Sequence, residues 1–169
     1  MEKNRKGCHV TVFATSHFSN SRGESMQKLS PDELDSMVYD EKIPIRIAFV
    51  KPDGIPNVVS LWHVILNGKI YCATQKSAKI VSFLKNNPRC GFEIASDKPP
   101  YRGVRGEGHV NIVEENAVDI LELLIEKYLG KKESALSKFL RDKSASEVSL
   151  EITPQKILHF NYSKRMRDI

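Results

Sequence analysis

The stretch IPIRIAFVKPDGIPNVVSLWHVILNGKIYCAT, residues 43–74, decides the fold. Lys51-Pro52-Asp53-Gly54 separates its first two apolar runs. Pro-Asp-Gly is turn chemistry, because proline presets φ and glycine accepts φ > 0. Asn67-Gly68 separates the second run from the third and is the commonest two-residue hairpin loop. Together the turns predict three consecutive antiparallel strands, at about 44–51, 56–66 and 69–74, forming a meander.

Beyond this stretch, Ser77 is placed to cap a helix in which Ile80, Phe83 and Leu84 share a face, ending at Asn86-Asn87-Pro88. Residues 89–96 alternate, with Cys90, Phe92 and Ile94 on one side, and 103–113 alternate more cleanly still. In that second run Val104, Gly106, Gly108, Val110 and Ile112 share one face. Glycine at successive same-face positions weakens a strand, so it marks tight curvature or the close approach of a backbone or ligand. Helical spacing returns at 116–129, with Gly130 as its stop, and a shorter helix at about 133–142 carries Leu136, Phe139 and Leu140. A last strand at 147–162 is interrupted by Pro154, which implies an edge or a bulge.

Upstream, Ser30-Pro31-Asp32-Glu33 has the form of a capping box with proline at the first helical position. It starts a short helix to about Glu41 with Leu34, Met37 and Val38 on its apolar face. Residues 1–25 show no period and read as an N-terminal extension, disordered or lying upstream of a true start at Met26; the domain proper is 26–169. The tally is about six strands with several helices. It predicts a mainly β domain, a small antiparallel split β-barrel with helices at its openings and flank.

A chain of 169 residues, 40% hydrophobic and 28% charged, is long enough to bury a core without metal or disulfide staples. Cys8, Cys72 and Cys90 contain no Cys-x-x-Cys pair, which points to a reducing compartment. No apolar run suits a membrane span or a secretory signal, so the expected location is cytoplasmic. Of the net charge of +5, +2 lies in residues 1–25, and elsewhere the signs alternate. That pattern suits a solvated surface better than a nucleic-acid partner. No histidine or cysteine spacing suits a metal.

Tyr71-Cys72-Ala73-Thr74-Gln75-Lys76-Ser77-Ala78-Lys79 carries the most chemistry. A strand gives way to a polar loop and then to a helix, whose first turn presents unpaired N–H groups and a positive dipole end to an anion. Thr74 and Ser77 add hydroxyls, and Lys76 and Lys79 add charge. A lysine in the first helical turn opposes the dipole, a cost that a bound phosphate offsets. Solvated lysines beside a plain cap remain the alternative.

The ordered set Asp53-Gly54-x-Pro56, Ser77-x-Lys79, Asn87-Pro88-Arg89 and Pro99-Pro100-Tyr101-Arg102-Gly103 resembles the pyridoxamine 5′-phosphate oxidase-related, flavin-binding split-barrel family over about residues 28–163. The resemblance implies a homodimer with two cofactor sites at the subunit interface, each typically holding FMN. By similarity Val59, Ser60, Leu61 and Trp62 run along the isoalloxazine ring, Ala73 and Thr74 continue that wall, and Ser77 and Lys79 hold the phosphate. Family members often carry Arg or Lys between those last two positions; this chain has Ala78, and Lys76 is the candidate substitute. Arg102 is a candidate contact to the partner's cofactor.

Trp62, the only tryptophan, is read either as core or interface filling or as a neighbour of the ring. In a regular strand His63 would face the other way. The family's vitamin B6 oxidases carry an Arg-x-His element near the C-terminus, and Asn161-Tyr162-Ser163-Lys164-Arg165-Met166-Arg167 has none. The expectation is therefore a generic flavin-dependent oxidoreductase acting on a small molecule, with no assigned catalytic residue. A deazaflavin-dependent reductase of the same fold and a non-catalytic flavin- or haem-binding protein are the rivals.

Overall fold

The computed structural model describes residues 25–31, 33–34 and 42–167. Eight antiparallel strands form one sheet: β1 (Ser25–Leu29), β2 (Ile45–Val50), β3 (Pro56–Leu61), β4 (Val64–Leu66), β5 (Lys69–Gln75), β6 (Arg89–Ala95), β7 (Arg102–Val113) and β8 (Glu147–Asn161). The helices described in full are α1 (Lys79–Asn86), α2 (Ala117–Leu129) and α3 (Ala135–Asp142). The order β3-β2-β6-β7-β8-β5-β4, with β1 also paired to β8, is that of a split barrel. Its interior buries Ile45, Ile47, Ile70, Phe92, Leu150 and Ile152 among others.

Both predicted turns are present. Pro52 leads a turn closed by the Gly54 N–H donating to the Lys51 carbonyl at 2.9 Å, with Gly54 at φ 81°. Asn67 and Gly68 both take positive φ, 52° and 72°, as a two-residue hairpin of the primed type requires. The meander itself is not formed. β2 pairs with β3 and β4 pairs with β5, but β3 and β4 stand at opposite ends of the sheet order. The expected strand 56–66 breaks at Trp62-His63, and that break is where the chain crosses from one half of the split sheet to the other. Hydrophobic content is even across the break, so periodicity could not reveal it.

The strand count exceeds the expected six for the same reason and because of β1. Ser25–Leu29 pairs with Ile157–Asn161 at the far end of β8, a strand too short and too close to the extension to carry its own pattern. The expectations for residues 1–24, and for the helix beyond Leu34, lie outside the described residues. The start of that helix is present: the Ser30 N–H and Oγ both donate to the Glu33 carboxylate, at 2.8 and 2.9 Å, which holds the Glu33 carboxyl below its usual range.

The glycines of β7 answer to backbone. A Cβ on Gly106 would run into the carbonyl of Lys156 and the ring of Phe92, and one on Gly103 into the carbonyl of Ile94. The register between β7 and β8 shifts at Glu107/Gly108, where Glu107 faces Lys156 and Gly108 faces Pro154. Pro154 thus sits at a bulge. It also lies between the β8 residues paired with β5, which end at Ile152, and those paired with β1, which begin at Ile157. Its missing N–H costs little there.

Helix α1 buries Ile80, Val81 and Leu84 in the barrel interior. Helix α2 lies over β4, β5 and β8 and buries Ile120, Leu121, Leu124 and Ile125. Helix α3 lies within the expected 133–142. Its capping residue Ser134 and the buried Ser137 bond reciprocally, whereas Leu136 and Phe139 are 47% and 57% exposed. Among the described residues no helix is long and apolar enough to cross a membrane.

Candidate functional site

A cleft of about 840 Å³ opens where the β2–β3 hairpin, the end of β5 and the start of α1 converge. Its walls are apolar, with Phe49 from β2, Val59 and Leu61 from β3, and Ile80 and Phe83 from α1. Its rim is polar, with Lys51, Asp53, Asn57, Ser60, Thr74 and Lys79. Local geometry explains the convergence. The Phe49 and Phe83 rings meet at 5.7 Å and clamp α1 against β2. Asp53 Oδ1 accepts the Ile55 N–H and Oδ2 accepts a bond from Lys51 Nζ, both at 3.0 Å, so the hairpin tip has a fixed shape. Those bonds, Lys51's first, hold the Asp53 carboxyl below its usual range.

Five of the expected site residues meet in this cleft: Val59, Ser60, Leu61, Thr74 and Lys79. Because β3 ends the sheet, its second edge bonds to no other described strand, so backbone groups along Val59-Ser60-Leu61 remain available to a ligand. Ala73 is half-buried and, by alternation along β5, lies on the opposite face from Thr74. Ser77 is exposed in the turn at 76–77 and does not cap the helix. The N-cap is Ala78, in extended conformation at φ −63° and ψ 138° and with no side-chain bond, which makes Lys79 the first helical residue. The loop is one residue longer than its hydroxyl pattern suggests, so the start of α1 keeps its N–H groups free of a side-chain cap. No acidic residue sits in the first turn of α1.

Lys76 does not take the place open at Ala78. Its ammonium bonds Glu114 Oε2 at 2.6 Å, outside the cleft, and lowers the Glu114 carboxyl's pKa. The residues that pattern reading missed are Phe49, Lys51 and Asp53 on one side and Ile80 and Phe83 on the other. Their signal was the period-2 spacing of Phe49 with Lys51 and the i, i+4 spacing of Lys79 with Phe83. Neither says which strand meets which helix.

Trp62 lies next to the cleft's end and stacks on Tyr128 of α2, ring centroids 4.8 Å apart and 6° from parallel. His63 reaches the same tyrosine. Its N–H donates to Tyr128 Oη at 3.3 Å, and its Nδ1 lies 3.2 Å from that oxygen. Adjacent residues of a regular strand could not both do this, and they can here because β3 ends at Leu61 and β4 begins at Val64. Tyr128 Oη donates in turn to the Ile43 carbonyl at 2.9 Å. Burial first, then the charge of Lys127, pushes the His63 imidazole down to about 3, and burial pushes the Tyr128 phenol up to about 12. His63 Nε2 is buried with no hydrogen-bond partner. This cluster holds a neutral imidazole and an un-ionised phenol. It pins the crossover between the two halves of the sheet.

A second depression, about 540 Å³, lies on the outer face of β2, β6, β7 and β8, floored by Ala48 and Gly91. Its charges are largely mutually engaged: Arg46 reaches Glu93 at 3.9 Å and Asp97 at 2.6 Å, and Lys156 reaches Glu107 at 3.9 Å. The exposed Val58 borders it. Arg102 lies at the start of β7 and lines neither concavity; its backbone exchanges bonds with Ser96. Among the described residues no group of acidic, histidine and cysteine side chains is arranged to hold a metal ion.

Comparisons with known proteins agree on one architecture. The family model described as pyridoxamine 5′-phosphate oxidase matches residues 31–161. A conserved hypothetical protein from Mycobacterium tuberculosis superposes with a TM-score of 0.67 at 23% identity, covering 81% of this chain and 88% of its own. An F420 reductase superposes with a TM-score of 0.61 at 21% identity, covering 76% and 98%. A protein from Mesorhizobium loti described as FAD-binding gives a TM-score of 0.59 at 17% identity, covering 80% and 97%. No curated protein matches the sequence.

Proposed function

We propose, given that this chain belongs to the pyridoxamine 5′-phosphate oxidase family, that it is a flavin-dependent oxidoreductase which holds FMN in the cleft between the β2–β3 hairpin and α1. The observation that carries the reading is the cleft's division of chemistry, with apolar walls suited to a flat ring and a rim of hydroxyl, amide and ammonium groups suited to a ribityl phosphate. The residues present fit such a group. Lys79 and the uncapped N–H groups of α1 would hold the phosphate, with Thr74 on the cleft rim and Ser77 in the adjoining turn as hydroxyl donors. The backbone edge along Val59, Ser60, Leu61 and Trp62 would face the ring's polar side, and Ala73 would stand behind it.

When bound, the flavin supplies the hydride chemistry. The chain's part is placement and electrostatics. N–H donors along β3 aimed at the pyrimidine edge would favour the reduced, anionic ring. Phe49, Leu61 and Phe83 would exclude water from it. No side chain has to carry a proton for this, and the titratable cluster of His63 and Tyr128 is spent on structure.

The site is completed by a second copy of the chain. Homodimerisation would cover the outer sheet face, where Val50 and Val58 are 45% and 58% exposed, and would bring Arg102 of one protomer towards the coenzyme of the other. Substrate is a small molecule. With no Arg-x-His element near the C-terminus, vitamin B6 is not the expected one.

A deazaflavin coenzyme is the second reading, favoured by the similarity to an F420 reductase and by surplus lysines that would suit its long anionic tail. The ultraviolet–visible spectrum of protein purified from its native host separates the two. A two-banded yellow flavin spectrum that bleaches with a reduced nicotinamide supports the proposal. A single deazaflavin band moves the assignment to the second reading, and a haem band, or a flavin that no donor bleaches, refutes the oxidoreductase.

A further inference from the structure

Lys51 leaves β2 two residues after Phe49 and therefore on the same face, while Lys79 lies one helical turn before Phe83 on α1. The contact between the two rings, 5.7 Å between centroids, joins those faces, and both lysines line the one cleft. Lys76 is held outside it by Glu114 at 2.6 Å, and Ala78 has no charge to offer.

Resting on the reading of this cleft as a flavin-phosphate site, we propose that Lys51 is the second cation gripping the anionic group of the coenzyme. The hairpin turn presets it. The Ile55 N–H fixes Asp53, and Asp53 fixes the ammonium at 3.0 Å, leaving the other two N–H bonds of Lys51 for an incoming oxygen. The Lys51 side chain is 28% exposed, so its charge is less screened than that of a freely solvated lysine. With Lys51 and Lys79 opposed by Asp53 alone, the charged residues lining the cleft carry one net positive charge. The grip therefore comes from two elements that are far apart in sequence, the hairpin tip and the helix start. An anion bridging Lys51 and Lys79 would also tie the hairpin to α1.

The test titrates the full-length chain with FMN and with riboflavin, which differ only by the phosphate, and follows quenching of flavin fluorescence. Wild type is compared with Lys51→Met, Lys51→Arg and Lys76→Met. The readout is the ratio of the two affinities within each variant, so a partial loss of folded protein, which lowers both, does not mimic the effect. Lys51→Met is expected to weaken FMN about tenfold while leaving riboflavin unchanged, the worth of one charge-assisted hydrogen bond. Lys51→Arg should keep the wild-type ratio, and Lys76→Met should match wild type throughout. An unchanged ratio in Lys51→Met overturns the proposal and leaves the flavin reading standing, as does a Lys76→Met ratio that falls as far. A wild-type chain that binds neither flavin refutes the flavin reading and this proposal together.

Discussion

Two neighbouring regions, 56–61 and 62–66, come from a single run of apolar residues and end as opposites. Along β3 the residues are exposed or half-buried, the outer edge pairs with no described strand, and Val59, Ser60 and Leu61 face a cleft. At the crossover His63 is wholly buried, and it, Trp62 and the Ile43 carbonyl all converge on the Tyr128 side chain. The difference lies in where polar groups find partners. At the crossover the His63 backbone N–H and Nδ1, the Tyr128 hydroxyl and the Ile43 carbonyl engage one another inside the protein, leaving only His63 Nε2 over, which fixes geometry. At the cleft they are left to an outside partner, which suits them to binding. If this contrast is right, substitutions at the crossover should cost stability and spare ligand affinity, and those at the cleft should do the reverse.

The largest effect is expected from Tyr128→Ala, which removes the ring stacked on Trp62 together with the hydroxyl that serves Ile43 and His63. Urea denaturation should show a loss of about 3–4 kcal/mol. A loss under about 1 kcal/mol would mean that the cluster does not pin the crossover. Next, Lys79→Glu should lower FMN affinity about 100-fold, by placing a negative charge where the phosphate is expected, with the melting temperature unchanged. Ser77→Ala, in the turn ahead of the helix, should cost only a few-fold. Equal FMN binding by Lys79→Glu and wild type would remove the phosphate from this corner.

The third expectation concerns acid. Burial keeps the folded His63 imidazole neutral down to about 3, whereas the unfolded chain takes up that proton near pH 6.5. Between those values the unfolded state holds more protons. The stabilisation is complete above pH 6.5 and lost progressively as pH falls, amounting to about 2 kcal/mol by pH 5. Urea midpoints measured from pH 7 to 5 should show that slope, and His63→Gln should flatten it. The cleft carries no comparable titration, so the wild-type slope should survive in Lys79→Glu.

Much of the fold was legible because its punctuation is local. Pro52 and Gly54, Asn67 and Gly68, and Gly130 each impose a backbone geometry through their own covalent structure, and all stand where the pattern put them. The glycines of β7 were legible as a close approach, although only the structure identifies the Lys156 carbonyl as what approaches Gly106. The cleft was half legible: Thr74 and Lys79 announced themselves by residue type beside a helix start. Lys51 looked like part of a turn, and Lys76 looked like a ligand, until Glu114 claimed it from 38 residues away. The break at Trp62-His63 left no local trace, since Val, Leu and Trp suit an unbroken strand as well.

By itself the sequence determined where the chain turns, which residues of each strand face inward, and that Lys79 stands beside a helix start. Those properties reside in single residues and in spacings of two or four. Only the tertiary structure decided which strands are neighbours, that Glu114 takes Lys76, and which aromatic ring receives Trp62 and His63 together. Each of those choices depends on a contact between segments far apart along the chain, and no local preference encodes the distance between them.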